Sequence, residues 1–315
     1  MNQFDAIIIG AGPAGLTAGI YLARAKKQVL IVEKSIAGGQ VNLTHAVANY
    51  PGIPETSGYQ LASQMKKQAL DFGCEIITGV KINTLELDGE VKKVSLEGKG
   101  DFSAPAVILA TGGSSKNLGL ASEEKFTGRG ISYCATCDGD FFTGQDIVVV
   151  GGGNSALEEA VALTRYVSSV TVVHMLDHFQ AFSHAVEEAA ENPKISFLLE
   201  TAVEEFSGKE ELEGVVVKNL STGEKRVLNA AGAFVFIGYQ PNTDFLKGLV
   251  PLNEAGEILV DENLQTGIPG VYAAGDARVK KHRQITTAVA DGTVTALNAL
   301  QFLDEYAKKV SPGAL

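Results

Sequence analysis

Two glycine-rich turns constrain this chain more than any other feature of its sequence. The first is Gly10-Ala11-Gly12-Pro13-Ala14-Gly15 and the second is Gly151-Gly152-Gly153-Asn154-Ser155-Ala156, each directly after an apolar run of strand length. A strand that turns on glycine into a helix aims the helix's first amides at whatever lies over the turn, and that arrangement binds a pyrophosphate. Residues 4–9 supply the first strand, 16–25 have helical spacing, and 28–32 form a second strand ending at Glu33. Gly10 allows the turn, Gly12 lets backbone N–H groups approach a phosphate, and Gly15 lets helix and strand pack closely. An acidic residue about 20 positions on, here Glu33, accepts hydrogen bonds from a ribose. Residues 146–150, 157–166 and 170–173 repeat the pattern around Gly151, Gly153 and Ala156. After about Thr243 the chain returns to the first module, with a short strand ending near Gly275-Asp276 and a helix over 285–307. The expected fold is α/β, with two Rossmann-like (three-layer ββα) nucleotide-binding domains, the second inserted into the first.

Just ahead of the second turn lies Cys134-Ala135-Thr136-Cys137-Asp138. Two cysteines separated by two residues can close a readily exchanged disulfide, and a nearby helix N-terminus favours the thiolate. Asp138 is negative, so it disfavours an adjacent thiolate and favours handing a proton across. The other reading of the pair is half a zinc site, but no second CxxC and no His pair at ligand spacing accompanies it, so no metal is expected. Cys74 has no partner at motif spacing and reads as a buried structural thiol. With three cysteines in all, a reducing cytoplasm is the expected compartment. A helix over 57–72 and strands over 75–77, 91–96 and 106–109 complete the first module, the last strand running into Ala110-Thr111-Gly112-Gly113. Gly38-Gly39-Gln40 and the segment 47–52 read as loops, with Gln40 and Asn49 as polar groups that could meet a cofactor. A net charge of -11 argues against nucleic acid. Residues 6–23 carry no charge and have the length of a membrane span. They are broken by Gly10, Gly12, Pro13, Gly15 and Gly19, and Asp5 stands where a signal peptide needs a basic residue. Neither a membrane segment nor an export signal is expected.

With both turns, Gly38-Gly39-Gln40, the run from Cys134 to Gly139, Gly151–Glu159, Gly275-Asp276 and Arg283-Gln284-Ile285 in this order, the chain resembles the low-molecular-weight, bacterial-type thioredoxin reductases along almost its whole length. The resemblance implies a homodimer with one FAD per subunit and thioredoxin as the protein substrate. It implies an FAD-binding domain of 1–116 plus 244–315 and an inserted NAD(P)H-type domain of 117–243 carrying the disulfide, with hinges near 116 and 243. On matching positions FAD would meet Gly10, Gly12, Pro13, Ala14 and Gly15 at the turn, with Glu33, Gly39, Gln40 and Asn49 beyond it. Thr111, Gly112, Gly275 and Asp276 would meet it from the later strands, and Arg283, Gln284 and Ile285 from the start of the last helix. Cys134 and Cys137 would be the redox pair and Asp138 their acid/base.

One stretch departs from the family. NADPH-dependent members end the second module's strand in His-Arg-Arg-x-x-x-Arg, whose arginines bind the 2′-phosphate, whereas this chain has His174-Met175-Leu176-Asp177-His178-Phe179-Gln180. The change removes three cations, each able to make charge-assisted hydrogen bonds worth about 1.5–3 kcal/mol. NADH would favour an acidic residue at the strand end; His174 stands there, and Asp177 comes three residues late. A clostridial branch of the family takes electrons from reduced ferredoxin, and a vestigial second module suits it. The leading expectation is therefore a ferredoxin-dependent thioredoxin reductase, with NADH or NADPH as the alternative donor. No cysteine set could hold an iron–sulfur cluster, so the cluster would be the partner's. Docking an acidic ferredoxin calls for a basic patch, for which Arg24, Lys26, Lys27, Lys280, Lys281 and His282 are candidates. A non-catalytic FAD- or nucleotide-binding regulator has little need of Asp138 beside a dithiol, and ferredoxin–NADP reductases of related fold lack the CxxC.

Overall fold

The computed structural model describes residues 2–44 and 47–310. The chain forms two compact units, Met1–Ser114 with Gln240–Leu315, and Ser115–Tyr239. The return to the first unit comes ahead of residue 244. Asn242 already donates its backbone N–H to the Gly112 carbonyl at 2.9 Å and its side-chain amide to the Thr111 carbonyl at 3.0 Å.

In the first unit a five-stranded parallel sheet runs in the order Val271–Ala273, Ala106–Leu109, Ala6–Ile9, Val29–Glu33, Glu75–Thr78. Its central strands are unbroken apolar runs because both faces are covered. On one face Ile8, Ile31 and Ile108 pack with Leu16 and Leu22 of the Pro13–Arg24 helix and with Ala296 and Leu303 of the Ile285–Val310 helix. On the other, Ile7, Ile9 and Val32 pack with Leu85, Val94 and Phe102 of an antiparallel layer. That layer is Ile82–Glu86, Lys92–Leu96 and Gly100–Ala104, with Asn2–Gln3 at its edge. Of it, only 91–96 is legible as a strand; Ile82–Glu86 buries a single side chain, Leu85, and so shows little alternation. The Gly58–Asp71 helix starts where a capping box closes between Ser57 and Gln60.

The second unit repeats the plan. Its parallel sheet runs Ile131–Ser132, Gly232–Val235, Asp146–Val150, Ser169–Val173, Ile195–Leu198. The helices Asn154–Leu163 and Ser183–Glu191 cover one face. The antiparallel strands Thr201–Ser207, Gly214–Asn219 and Lys225–Asn229 form the layer packed on the other. Only the outer strand differs in origin: the first unit takes it from late in the chain, the second from just before the glycine turn. Both glycine-turn helices begin earlier than their apolar periodicity predicts, at Pro13 and Asn154, because Gly12 and Gly153 are themselves the N-caps. Among the described residues no helix is long and apolar enough to cross a membrane. Cys74 is buried against the Pro13–Arg24 helix, and burial pushes its thiol up to about 11.

Candidate functional site

In the second unit Cys134 and Cys137 are joined as a disulfide, with 5.3 Å between their Cα atoms. Cys134 is the N-cap of the one-turn helix Ala135–Asp138, and its carbonyl accepts the N–H groups of Cys137 at 3.3 Å and Asp138 at 3.2 Å. Gly139 follows, where a Cβ would lie 2.8 Å from Leu163 Cδ2 on the Asn154–Leu163 helix. The turn is held from its N-terminal side by two residues that sequence reasoning passed over. The Ser132 hydroxyl contacts the Asp138 carboxylate at 2.5 Å and accepts the Cys134 N–H at 3.1 Å. The Tyr133 hydroxyl donates to Glu123 at 2.8 Å, and the same buried carboxylate accepts the N–H groups of Leu118 and Gly119. Burial, reinforced by the Glu123 contact, pushes the Tyr133 phenol upward, so it stays a donor. The one available signal was position: both precede the first cysteine directly.

The second glycine turn is built as its sequence predicts. Gly151 has φ +138°, and a Cβ there would lie 2.3 Å from the Phe236 carbonyl oxygen; Ala156 is buried beneath it. Gly152 lies flat on the imidazole of His174, where a Cβ would sit 2.4 Å from the ring. His174 is therefore turned inward, 7% exposed, stacked on Phe179 at 5.9 Å, with its Nε2 buried and unpartnered. Burial holds its pKa below the ordinary imidazole value. Past His174, Met175 is 60% exposed and Asp177 pairs with His178 at 2.6 Å. Gln180 donates its backbone N–H to the Gly152 carbonyl at 2.8 Å, and Phe182 donates its own to Asn154 Oδ1 at 2.7 Å. The places of the family's three arginines thus hold a thioether, an aliphatic chain and an amide, next to a carboxylate.

In the first unit Gly10 has φ +109° and would collide through a Cβ with the Ala110 carbonyl oxygen at 2.1 Å, as Gly15 would with the Gly10 carbonyl at 1.9 Å. A Cβ on Gly12 would meet nothing within 4 Å, so the space over the turn is open. Pro13 opens the helix, with Ala14 and Gly15 buried behind it. Glu33 accepts the Ala11 and Ser35 N–H groups, each at 2.9 Å, which fixes its carboxylate beside the turn. Gly39 approaches the same turn, its would-be Cβ 3.3 Å from Gly12 Cα, while Gln40 and Asn49 are exposed. Thr111 Oγ1 is buried without a partner, one residue before Gly112. Gly275-Asp276 lies in a tight turn whose first N–H donates to Asp291 at 3.0 Å. Asp291 also takes Arg278 at 2.6 and 2.9 Å and Lys280 at 2.8 Å. Burial raises the Asp276 carboxyl. Burial works against the Asp291 carboxylate as well, but its bonds to Arg278 and Lys280 hold its pKa below the usual range. Arg283 pairs with Glu257, the Gln284 N–H donates to Thr287 Oγ1, and Ile285 opens the last helix. A helix N-terminus facing open space, one carboxylate fixed at ribose distance in sequence, a second at the far strand and an orphaned hydroxyl between them make a donor set that fits a flavin dinucleotide.

Three of the six candidate patch residues make contacts of their own. The Lys280 side chain is 6% exposed and bound to Asp291, Lys27 pairs with Asp304 at 2.9 Å, and the Arg24 guanidinium lies over the Phe72 ring. These three cations have partners within the first unit, while Arg24, Lys26, Lys281 and His282 are exposed.

Two dinucleotide folds, one carrying a disulfide beside a carboxylate, define an oxidoreductase that exchanges electrons with disulfides. The chain belongs to the pyridine nucleotide-disulphide oxidoreductase family, whose model matches residues 4–292. Its relatives there include bacterial thioredoxin reductases. It is 44% identical over 310 residues to the thioredoxin reductase of Peptoclostridium acidaminophilum, covering 96% of this chain and 98% of that protein. Against the thioredoxin reductase of Bacillus subtilis (strain 168) the identity is 41% over 303 residues, covering 96% and 95%. The crystal structure of thioredoxin reductase from Streptococcus pyogenes MGAS5005 superposes with a TM-score of 0.92 at 40% identity, over 96% of this chain and 99% of that one.

Proposed function

We propose that this chain is a homodimeric flavoprotein that reduces thioredoxin through Cys134 and Cys137 and draws its electrons from reduced ferredoxin rather than from NADPH. The observation that carries the donor assignment is the strand end at His174. No cation stands at Met175, Leu176 or Gln180, His174 is buried beneath Gly152, and the nearest charge in sequence is the Asp177 carboxylate. A 2′-phosphate there would lose its water without gaining a charged partner. The intact disulfide turn supports the acceptor side, since Cys134, Cys137 and Asp138 keep the full arrangement of a dithiol with an adjacent acid.

FAD, held by Gly12, Glu33, Gly39, Thr111, Asp276 and their neighbours, would supply storage for two electrons taken singly and released as a pair. The protein's own residues do the rest. The Pro13–Arg24 helix N-terminus balances the pyrophosphate charge, Glu33 and Asp276 accept from hydroxyls, and the Asp291 cluster holds the Gly275 turn at the cofactor. Asp138 supplies protons to departing thiolates.

Anaerobic bleaching of the flavin near 450 nm tests the donor, with NADPH, NADH and chemically reduced ferredoxin added to separate samples. Bleaching by ferredoxin alone, with oxidised thioredoxin restoring the colour, is the expected result. Rapid bleaching by NADPH would overturn the reading of the lost arginines, and bleaching by NADH alone would transfer the donor role to a nicotinamide bound without the phosphate.

A further inference from the structure

Ser132 ends the Ile131–Ser132 strand, in register with Phe234 on the neighbouring strand, and is 5% exposed. Three polar atoms surround its hydroxyl: Asp138 Oδ2 at 2.5 Å, the Cys134 amide nitrogen at 3.1 Å and the Cys134 carbonyl oxygen at 3.3 Å. A hydroxyl has one hydrogen to give and two lone pairs to receive. It therefore cannot donate to Asp138 and to the Cys134 carbonyl together. In the disulfide form the short contact goes to the carboxylate. The carbonyl is the alternative acceptor, held less closely and shared with the amides of Cys137 and Asp138.

We propose that Ser132 is the positioning residue that keeps Asp138 aimed at the cysteine pair in both of its protonation states. When Asp138 is ionised it accepts the Ser132 O–H. When it is protonated it donates to Ser132 Oγ, whose own hydrogen turns to the Cys134 carbonyl, while the Cys134 N–H keeps the oxygen in place. The inference rests on Asp138 being the acid/base of the exchange. In that exchange the reduced pair begins as one thiolate and one thiol, with Asp138 protonated. The thiolate attacks the disulfide of thioredoxin; one S–S bond breaks, a mixed disulfide forms, and the departing sulfur takes the Asp138 proton. The remaining enzyme thiol returns a proton to Asp138 and attacks the mixed disulfide, and the second departing sulfur takes that proton. Two electrons and two protons leave the enzyme, Cys134–Cys137 is re-formed, and Asp138 ends ionised, with the Ser132 O–H to accept. The carboxyl changes state three times, so a group that can serve either form avoids reorienting it at each step.

The test uses the full flavoprotein, reduced with dithionite so that no physiological donor enters, then mixed with oxidised thioredoxin in a stopped-flow instrument. Ser132→Ala is expected to lower the saturated rate of thioredoxin reduction about 10–100-fold, near the lower end of what acid–base catalysis contributes. The half-saturating thioredoxin concentration should stay within about 2-fold, because no contact with the substrate is lost. Ser132→Thr should restore the rate to within about 3-fold of the parent and Ser132→Val should not; these two share a shape and differ by the hydroxyl, so the comparison survives a poorly folded alanine variant. In an Asp138→Asn background Ser132→Ala should add less than about 3-fold, because residues acting as a unit are non-additive. A full additional loss in that background, or equal rates for the Thr and Val variants, overturns the role of Ser132 while leaving Asp138 in place. If Asp138→Asn alone leaves the rate unchanged, the acid/base reading fails, and the Ser132 inference with it.

Discussion

His174 shows how one side chain decides what a nucleotide fold can bind. It closes the Ser169–Val173 strand as the family pattern does, yet its ring lies beneath Gly152 and burial keeps it neutral. In the unfolded chain it takes up a proton near the ordinary value of about 6.5. Its folded pKa is lower, so below that pH the unfolded state binds more protons and is favoured. The stability contributed by neutral His174 is fully present above about pH 6.5 and is lost as pH falls through the depressed folded value. Thermal unfolding followed between pH 7 and pH 5 should show this fall, and His174→Phe should flatten it while keeping the stack on Phe179. The neighbouring positions carry the donor argument. Placing arginine at 175, 176 and 180 together should lower the NADPH concentration that half-bleaches the flavin by at least about 10-fold, since charge-assisted bonds are worth about 1.5–3 kcal/mol each. No gain in that titration would mean that the lost cations are not what excludes the phosphate. These residues were legible because a motif with named positions exposes each substitution. Ser132 and Glu123 were not, since a serine or a glutamate acquires meaning only from what the fold sets beside it.

The Ile285–Val310 helix shows the same division at the scale of an element. Its length and apolar spacing are plain in the sequence, but its buried stripe contains Asp291 and Gly292, which periodicity alone marks as blemishes. Gly292 is where the helix crosses the Pro13–Arg24 helix: a Cβ would sit 2.3 Å from the Ala14 carbonyl oxygen, a backbone atom that cannot turn aside. Asp291, one residue earlier, collects the Gly275 N–H, Arg278 and Lys280. Gly292→Ala should therefore push the helix away from the first glycine turn, costing about 1–3 kcal/mol as overpacking does, and loosen the cofactor turn at Gly275 with it. Thermal unfolding together with the fraction of flavin retained after gel filtration checks this. Unchanged values in both would show that the crossing relaxes without cost. Lys280 was read as a surface cation for docking; its burial against Asp291 followed from a turn whose shape no local pattern announces.

At the scale of the whole molecule, each unit has its own parallel sheet, helical face and antiparallel layer, with separate hydrophobic clusters on the two sides of each sheet. A unit with a complete core is expected to fold by itself. The segment 115–239, expressed alone, should unfold in one cooperative urea transition and should still form the Cys134–Cys137 disulfide, seen as the absence of free thiol under denaturing conditions. A broad, non-cooperative transition would show that the insert depends on the rest of the chain.

The sequence by itself determined the repeated strand–turn–helix plan, the place of the dithiol and the loss of the arginines. Each of these is written in contiguous residues whose spacing has a direct physical meaning. Only the tertiary structure decided the rest: that His174 faces inward under Gly152, that Lys280 is bound within a buried charge cluster, that Gly292 is a helix crossing, and that Ser132 sits between Asp138 and Cys134. These depend on which distant or oppositely directed groups the folded backbone brings within a hydrogen bond's length, and local spacing carries no record of that.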